Sequence, residues 1–465
     1  MLFSVVTLGC DKNTVDSERY RAELLAHGGE AAHTLDQADV IVVNTCGFID
    51  AAKRESIEAL VEAGRHRNGG NLRLLAAVGC MVQRYEDELR AALPEVDLFL
   101  GAAQVERLIP ELVERGLVPG ASVIHPGDRV YDGDMPHVRY LKVSEGCDHG
   151  CAFCAIPLMR GRHRSFALGD VVREAQLLEL QGAREVNLVA QDLAHYGRDV
   201  RDGNGLAELL EALLRETDIP WYRLLYIYSA GLTPRLLDTI AREPRIVRYL
   251  DIPMQHASDA VLARMRRPER RARQREKIKQ IRDAIPGVAI RTTVIVGFPG
   301  ETESDVRELC DFLEEVQLER VGVFTFSRQE GTRAYELADD VAEEIKRERQ
   351  ERVLELQRLI TIERYERLLG QHHRAIVDRT ATATERAQAR LEIQADDIDG
   401  VTWLDDDVAH PLGTILEVEP HALADDFDFV ATSQRVLAPV VSAPRTVALR
   451  RRLPLVASTV GSFGR

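Results

Sequence analysis

At 465 residues and 45% apolar side chains, the sequence suits about three domains, each able to bury its own core. No apolar run approaches the roughly 18 to 20 residues that a bilayer demands, which excludes a membrane-spanning helix. The formal net charge of −15 argues against a chain broadly devoted to gripping phosphate backbones, though not against a local nucleic-acid site. The N-terminus opens at once on LFSVVTLGC, without the basic segment and cleavage site of a signal peptide, so a cytoplasmic protein is expected. Its seven cysteines are then reduced, and metal or catalytic roles outrank disulfides.

Residues 1–130 carry three apolar runs, at 2–8, 40–43 and 72–78, each followed by an amphipathic segment. A cysteine follows each run: Cys10, Cys46 and Cys80, with separations of 36 and 34 residues, close to one β–α–β unit. The alternation predicts an open parallel α/β sheet with helices on both faces. Each cysteine then falls at the carboxyl end of its strand, where such sheets gather ligands. Neighbouring strands lie about 4.8 Å apart, so three ends can converge on one small inorganic core. A lone cysteine there would be ordinary core; three at equivalent positions favour an iron–sulfur cluster with one iron left open.

The segment 145–164 reads EGCDHGCAFCAIPLMRGRHR and follows an apolar run at 138–143. Cys147, Cys151 and Cys154 stand in a C-x-x-x-C-x-x-C spacing that suits a soft metal or an iron–sulfur cluster. A closed zinc site would need a fourth ligand, which His149 or His163 could offer. Phe153 before the third cysteine, and the strand before the loop, favour the cluster.

Across residues 131–369, six runs alternate with helical segments, at 139–143, 185–189, 224–228, 249–252, 290–296 and 321–326. This predicts a parallel barrel or part of one, with its chemistry at the carboxyl ends. Gln191-Asp192, Gln255-His256 and the turn Gly297-Phe298-Pro299-Gly300-Glu301 fall at such ends. The turn lets backbone approach a ligand closely but lacks the lysine of a phosphate loop. His256 reads as a structural histidine, Cys310 as core, and the basic run 264–282 as a solvated helix face. A long charged helix over 342–369, closed by Gly370, links to short β-like runs at 374–377, 400–404 and 414–418, which predict a small β-barrel over 370–434. From 371 to 432 four arginines face fourteen Asp or Glu, a net of about −10. Residues 435–465 form a basic tail expected to lack a folded core.

The cysteine loop closely resembles that of the radical S-adenosylmethionine (SAM) enzymes. With GCDKNTVDSE, NTCGFID and GCMVQRY, the chain from about residue 3 to 433 is similar to the methylthiotransferases of that superfamily. The resemblance implies an open six-stranded partial barrel, a C-terminal TRAM β-barrel, two [4Fe–4S] clusters and SAM. It implies that Cys147, Cys151 and Cys154 hold the cluster whose open iron binds SAM and whose electron releases a 5′-deoxyadenosyl radical. Cys10, Cys46 and Cys80 would hold an auxiliary cluster that carries the sulfur to be transferred. Phe153, Gln191, Gly297 and Gly300 would line the SAM site.

GCDKNTVDSE, GCAFCAIPLMRGRHRS and YLDIPMQHASDAVLARM look like the branch that modifies ribosomal protein twelve of the small subunit, at the β-carbon of an aspartate. The tRNA branch more often reads GCxMN at the start, and a serine–glycine pair where this chain has Ala257-Ser258. The acidic third domain agrees: it would repel RNA and suit a basic protein. An electron donor and a sulfur donor are implied as partners, with no membrane and no direct tRNA substrate. A tRNA (adenosine-37) methylthiotransferase and a non-catalytic iron–sulfur electron carrier are the rival readings. Ser229 departs from the family, which often has proline there, and leaves the local turn open. The basic tail lies beyond the usual family end, and its arginines, with no acid among them, suggest that it touches ribosomal RNA.

Overall fold

A computed structural model describes residues 1–440, except 121, 123–127, 132, 134, 201, 202, 204, 383, 406 and 407. Most of the basic tail therefore lies outside the described residues.

The first domain is a five-stranded parallel sheet in the order β2-β1-β3-β4-β5. Its strands are β1 (Leu2–Thr7), β2 (Glu30–Ala31), β3 (Val40–Thr45), β4 (Leu74–Gly79) and β5 (Leu98–Gly101). Its helices are α1 (Asp11–Ala26), α2 (Asp50–Gly69), α3 (Cys80–Ala92) and α4 (Leu108–Glu114). Every residue of β3 and β4 is buried, as befits central strands covered on both sides. Alternate residues serve opposite faces: Val40, Val42 and Leu74 pack on Tyr20 and Leu24 of α1 and Leu108 of α4. Ile41, Val43 and Leu75 pack on Leu60 of α2 and Val82 of α3. The edge strands β2 and β5 add to the three runs legible in the sequence.

The second domain begins at β6 (Val138–Lys142). A two-residue ladder of β7 (Ser144–Glu145) with β8 (Arg164–Ser165) then clamps the base of the cysteine loop, which contains α5 (Ile156–Arg160). The remaining strands are β9 (Glu185–Val189), β10 (Trp221–Leu224), β11 (Ile246–Asp251), β12 (Ala289–Val296) and β13 (Arg320–Thr325). With β6 they pair in chain order as an open, parallel six-stranded sheet. The helices between them are α6 (Leu168–Leu180), α7 (Leu206–Glu216), α8 (Pro234–Arg242), α9 (Asp259–Arg264), α10 (Arg271–Ala284) and α11 (Glu303–Val316).

One expected strand is displaced. The run 224–228 is strand only at its first residue, because β10 begins earlier, at Trp221. Its ladder with β11 shifts register between Tyr222 and Leu224, and Tyr226 takes φ +61°. A tyrosine in that left-handed region cannot continue a strand. At Ser229 the chain makes a short 3₁₀ turn, whose hydroxyl bonds the Glu269 carboxylate.

Helix α12 (Glu343–Glu366) leads to a closed five-stranded barrel of β14 (His373–Arg379), β15 (Ala387–Leu391), β16 (Thr402–Leu404), β17 (Ile415–Leu423) and β18 (Phe429–Ala438). Strands β15 and β18 were not legible as β-runs, and β18 runs on through Ala438. This barrel covers one face of the open sheet: Trp221, Val247, Tyr249 and Ala289 pack against Ile376, Ala395 and Ile415. No described helix is long and apolar enough to cross a membrane.

Candidate active site: two cysteine triplets at one domain boundary

Register alone brings the first triplet together. The β3–β4 ladder ends on Thr45 opposite Gly79, one residue short of Cys46 and Cys80. The β1–β3 ladder ends on Thr7 opposite Asn44, just before the Gly9-Cys10 turn. That turn needs glycine: Gly9 has φ +87°, and a Cβ there would lie 2.7 Å from the Cys46 Cβ. Asn13, fully buried, ties the strand ends together. Its Nδ2 donates to the carbonyls of Leu8 (2.7 Å) and Thr45 (3.2 Å), and its Oδ1 lies 3.9 Å from Cys80 Sγ. Cys10 is the N-cap of α1 and Cys80 the first residue of α3, so two helix N-termini face the site. Such ends favour negative charge, as on thiolates or a cluster.

The second triplet lies on the loop between β7 and β8. The Cys147 amide donates to Gly161 (3.1 Å), Ala152 to Met265 (2.9 Å), and Ala334 to Ala152 (2.8 Å), so the loop is held from three sides. Phe153 and Ala152 pack with Phe298 of the turn after β12, together with Phe326, Val261 and Met265. Gly297, at φ +73°, has a local reason to be glycine, since the Lys346 stem occupies the place of a Cβ. Gly300 donates its amide to Asp340 (2.7 Å) and accepts from Arg264 (2.9 Å). Gln191 donates to Glu145 Oε1 (2.9 Å), while its own Oε1 is buried without a hydrogen-bond partner.

The histidines available to a zinc site are engaged elsewhere. His149 Nε2 lies 2.7 Å from Asp192, and the ring stacks on Tyr228 at 4.0 Å. His163 bonds the Ser165 hydroxyl (3.1 Å). Burial would raise the Asp192 carboxyl, but hydrogen bonds from His149 and His195 outweigh it and hold the group well below the usual carboxylate range. Among the described residues, His149, Asp192 and His195 are the three such ligands whose donor atoms all lie within 4.8 Å. Those atoms already bond one another. With His149 and His163 so engaged, each triplet brings three thiols, one short of a closed zinc site and suited to a [4Fe–4S] core with one open iron.

Burial pushes the thiols up: Cys147 to about 11, Cys80 and Cys154 to about 12, and Cys46 upward. Each triplet meets one buried guanidinium. Arg160 Nε lies 3.0 Å from Cys80 Sγ, and Arg267 Nη1 lies 3.7 Å from Cys151 Sγ. Arg267 corrects the sequence reading of a solvated basic run, being only 4% exposed. One side of that run is solvated as expected, with Arg273, Arg275 and Lys279 paired to surface acids, while Gln274, Ile278 and Ile281 are buried on the other. His256 is buried, accepting the Ser258 amide (2.9 Å), and Cys310 packs half-buried against the main core.

The two sites share one boundary. Cys80 packs on Ala155 and Met159, with Ile156 and Ala102 at the edge of the contact. Asp16 of α1 accepts from Lys142 (2.5 Å) and Arg160 (2.7 Å), and both cations also reach Glu145. Lys12 stands over the Tyr226 ring, its ammonium 3.1 Å from the centroid, where first-domain and barrel residues meet.

Comparison with known proteins agrees with this arrangement. Residues 3–101 match the uncharacterized protein family UPF0004, and residues 141–313 match the radical SAM superfamily. The ribosomal protein uS12 methylthiotransferase RimO of Anaeromyxobacter sp. (strain K) is 42% identical over 96% of this chain and 97% of its own length. This chain belongs to the RimO family of radical SAM methylthiotransferases. The RimO of Geobacter sulfurreducens is 41% identical over 86% of the chain and 92% of its own. The fold is also that of the radical SAM methyltransferase TsrM from Kitasatospora setae, at TM-score 0.55 and 14% identity, covering 83% of this chain and 79% of that one. With the radical SAM assignment come a [4Fe–4S] cluster and SAM. Three thiols, a buried cation and the orphaned acceptor of Gln191 fit that pair.

Proposed function

We propose that this RimO-family chain attaches a methylthio group to the β-carbon of an aspartate in ribosomal protein uS12, and that it uses two [4Fe–4S] clusters to do so. Cys147, Cys151 and Cys154 would hold one, and Cys10, Cys46 and Cys80 the other. When bound, these groups and SAM supply the electron, the hydrogen abstraction and the methylthio sulfur.

The chain's own residues position and shield. The single observation that carries the reading is that the loop bearing Cys147, Cys151 and Cys154 reaches into the other domain's triplet, where its Arg160 bonds both Cys80 and Glu145. Gln191 Oε1 is available to a donor such as the amino group of SAM, and Phe153 packs beside the turn that holds Gly297 and Gly300. Lys142 and Arg160 neutralise Asp16 and Glu145, so the boundary is closed without an uncompensated charge.

The RimO relatives act on uS12 by name. The acidic third domain supports a basic protein substrate over tRNA, since four arginines among fourteen acids would repel a phosphate backbone. The reaction needs an external electron donor and a sulfur donor, and the cytoplasm is where such a substrate is made. Mass spectrometry of uS12 from cells with and without this gene tests the proposal. A methylthio increment on an aspartate, lost with the gene, is expected. Unmodified uS12 in both would overturn it.

A further inference from the structure

Arg160 ends α5, six residues beyond Cys154, yet its guanidinium lies in the other domain's site. The side chain is 4% exposed. Its Nε meets Cys80 Sγ at 3.0 Å, Nη1 meets Asp16 at 2.7 Å and Glu145 at 3.2 Å, and Nη2 meets Asn13 Oδ1 at 2.5 Å. Four acceptors reached from three nitrogens use the fixed fork that only arginine has; an ammonium offers three donors from one point. Ion pairing does not require the sulfur contact, because Lys142 already reaches both carboxylates. The Nε bond to Cys80 is thus a separate feature of the arrangement.

We propose that Arg160 is a positioning residue for the auxiliary site, holding the Cys80 sulfur by its Nε–H so that the folded cysteine loop sets the electron affinity of the neighbouring cluster. The inference rests on the reading that Cys10, Cys46 and Cys80 carry a cluster. A hydrogen bond and a cation at a ligand sulfur stabilise the reduced, more negative state and raise its reduction potential. Because Met159 of α5 and the preceding Ala155 pack on Cys80, an ordered loop and a correctly placed guanidinium come together.

The test uses full-length protein carrying Cys147→Ala, Cys151→Ala and Cys154→Ala, which leaves one cluster to read. It is reconstituted anaerobically with and without Arg160→Lys or Arg160→Gln. With ¹⁵N-arginine labelling, hyperfine spectroscopy of the reduced cluster should show a coupled arginine nitrogen, absent from Arg160→Lys. Redox titration should show the midpoint potential falling in both variants at undiminished iron and sulfide. An absent coupling in the Arg160 protein would overturn the inference even if the variants lose their cluster, and so would unchanged potentials in loaded variants. If the triple-alanine protein binds no iron at all, the auxiliary-cluster reading itself fails and takes the inference with it.

Discussion

The guanidinium of Arg267 lies 4.0 Å from the centroid of the Tyr228 ring while its Nη1 stands 3.7 Å from the sulfur of Cys151. It is pinned by a bond to the Pro253 carbonyl, so it sits as a fixed cation beside the cysteine loop. A cation there favours the reduced state of whatever the sulfur ligates. Arg267→Gln should cut SAM cleavage by about tenfold, the lower range expected for losing a charge-assisted contact. Arg267→Lys should recover part of it. Counting 5′-deoxyadenosine by chromatography decides, and a rate equal to wild type in Arg267→Gln refutes the role.

The triplets should separate by phenotype. Cys151→Ala should abolish both 5′-deoxyadenosine formation and methylthiolation, and should lose about half of the bound iron if there are two four-iron clusters. Cys46→Ala should spare cleavage of SAM and prevent transfer. Full transfer by the Cys46 variant would remove the auxiliary site from the reaction.

Much of this was legible because apolar runs ended by cysteines carry both fold and chemistry. The ladders that level Cys46 with Cys80 follow from strand length and period. What escaped the sequence lies in long-range contacts. Asn13 and Arg160 are 147 residues apart and meet only when the domains dock. Arg267 looked like one more charge in a basic run, and what distinguishes it from its solvated neighbours is its packing on Tyr228 and its bond to the Pro253 carbonyl. The third barrel strand was displaced because Tyr226 adopts a conformation that its residue type disfavours. Strand β15, AQARL, lacked the β-branched signature because alanines fill the small barrel's interior.

The third domain should depend on Glu185. This carboxylate is fully buried between Arg223 (2.7 Å) and Arg390 (2.7 Å), and Arg390 in turn holds Asp378, which bonds His137 (2.8 Å). Glu185→Ala strips the buried Arg223 of its carboxylate and leaves Arg390 with Asp378 alone, a loss on the order of 3–5 kcal/mol. Lower denaturant midpoints are expected, with faster proteolysis around Gly370 as the small barrel loosens. A variant as stable as wild type would show that water or Asp378 compensates.

A pH-dependent weakness is built into the same interface at Asp396. Burial pushes this carboxyl up to about 6, against a partial pull from Arg390 and with Asp397 and Glu185 adding to the rise. The unfolded chain would ionise it near 3.9. Below about pH 3 the group is protonated in both states and contributes nothing. As pH rises from about 4 to 6, the unfolded state ionises first and the folded state loses stability, by at most about 3 kcal/mol once both are charged. Asp396→Asn should therefore melt at a higher temperature than wild type at pH 7.5 and at the same temperature at pH 3. Thermal melts at the two pH values check this. A gain of equal size at both would mean that asparagine packs better there, and that no buried charge was being relieved.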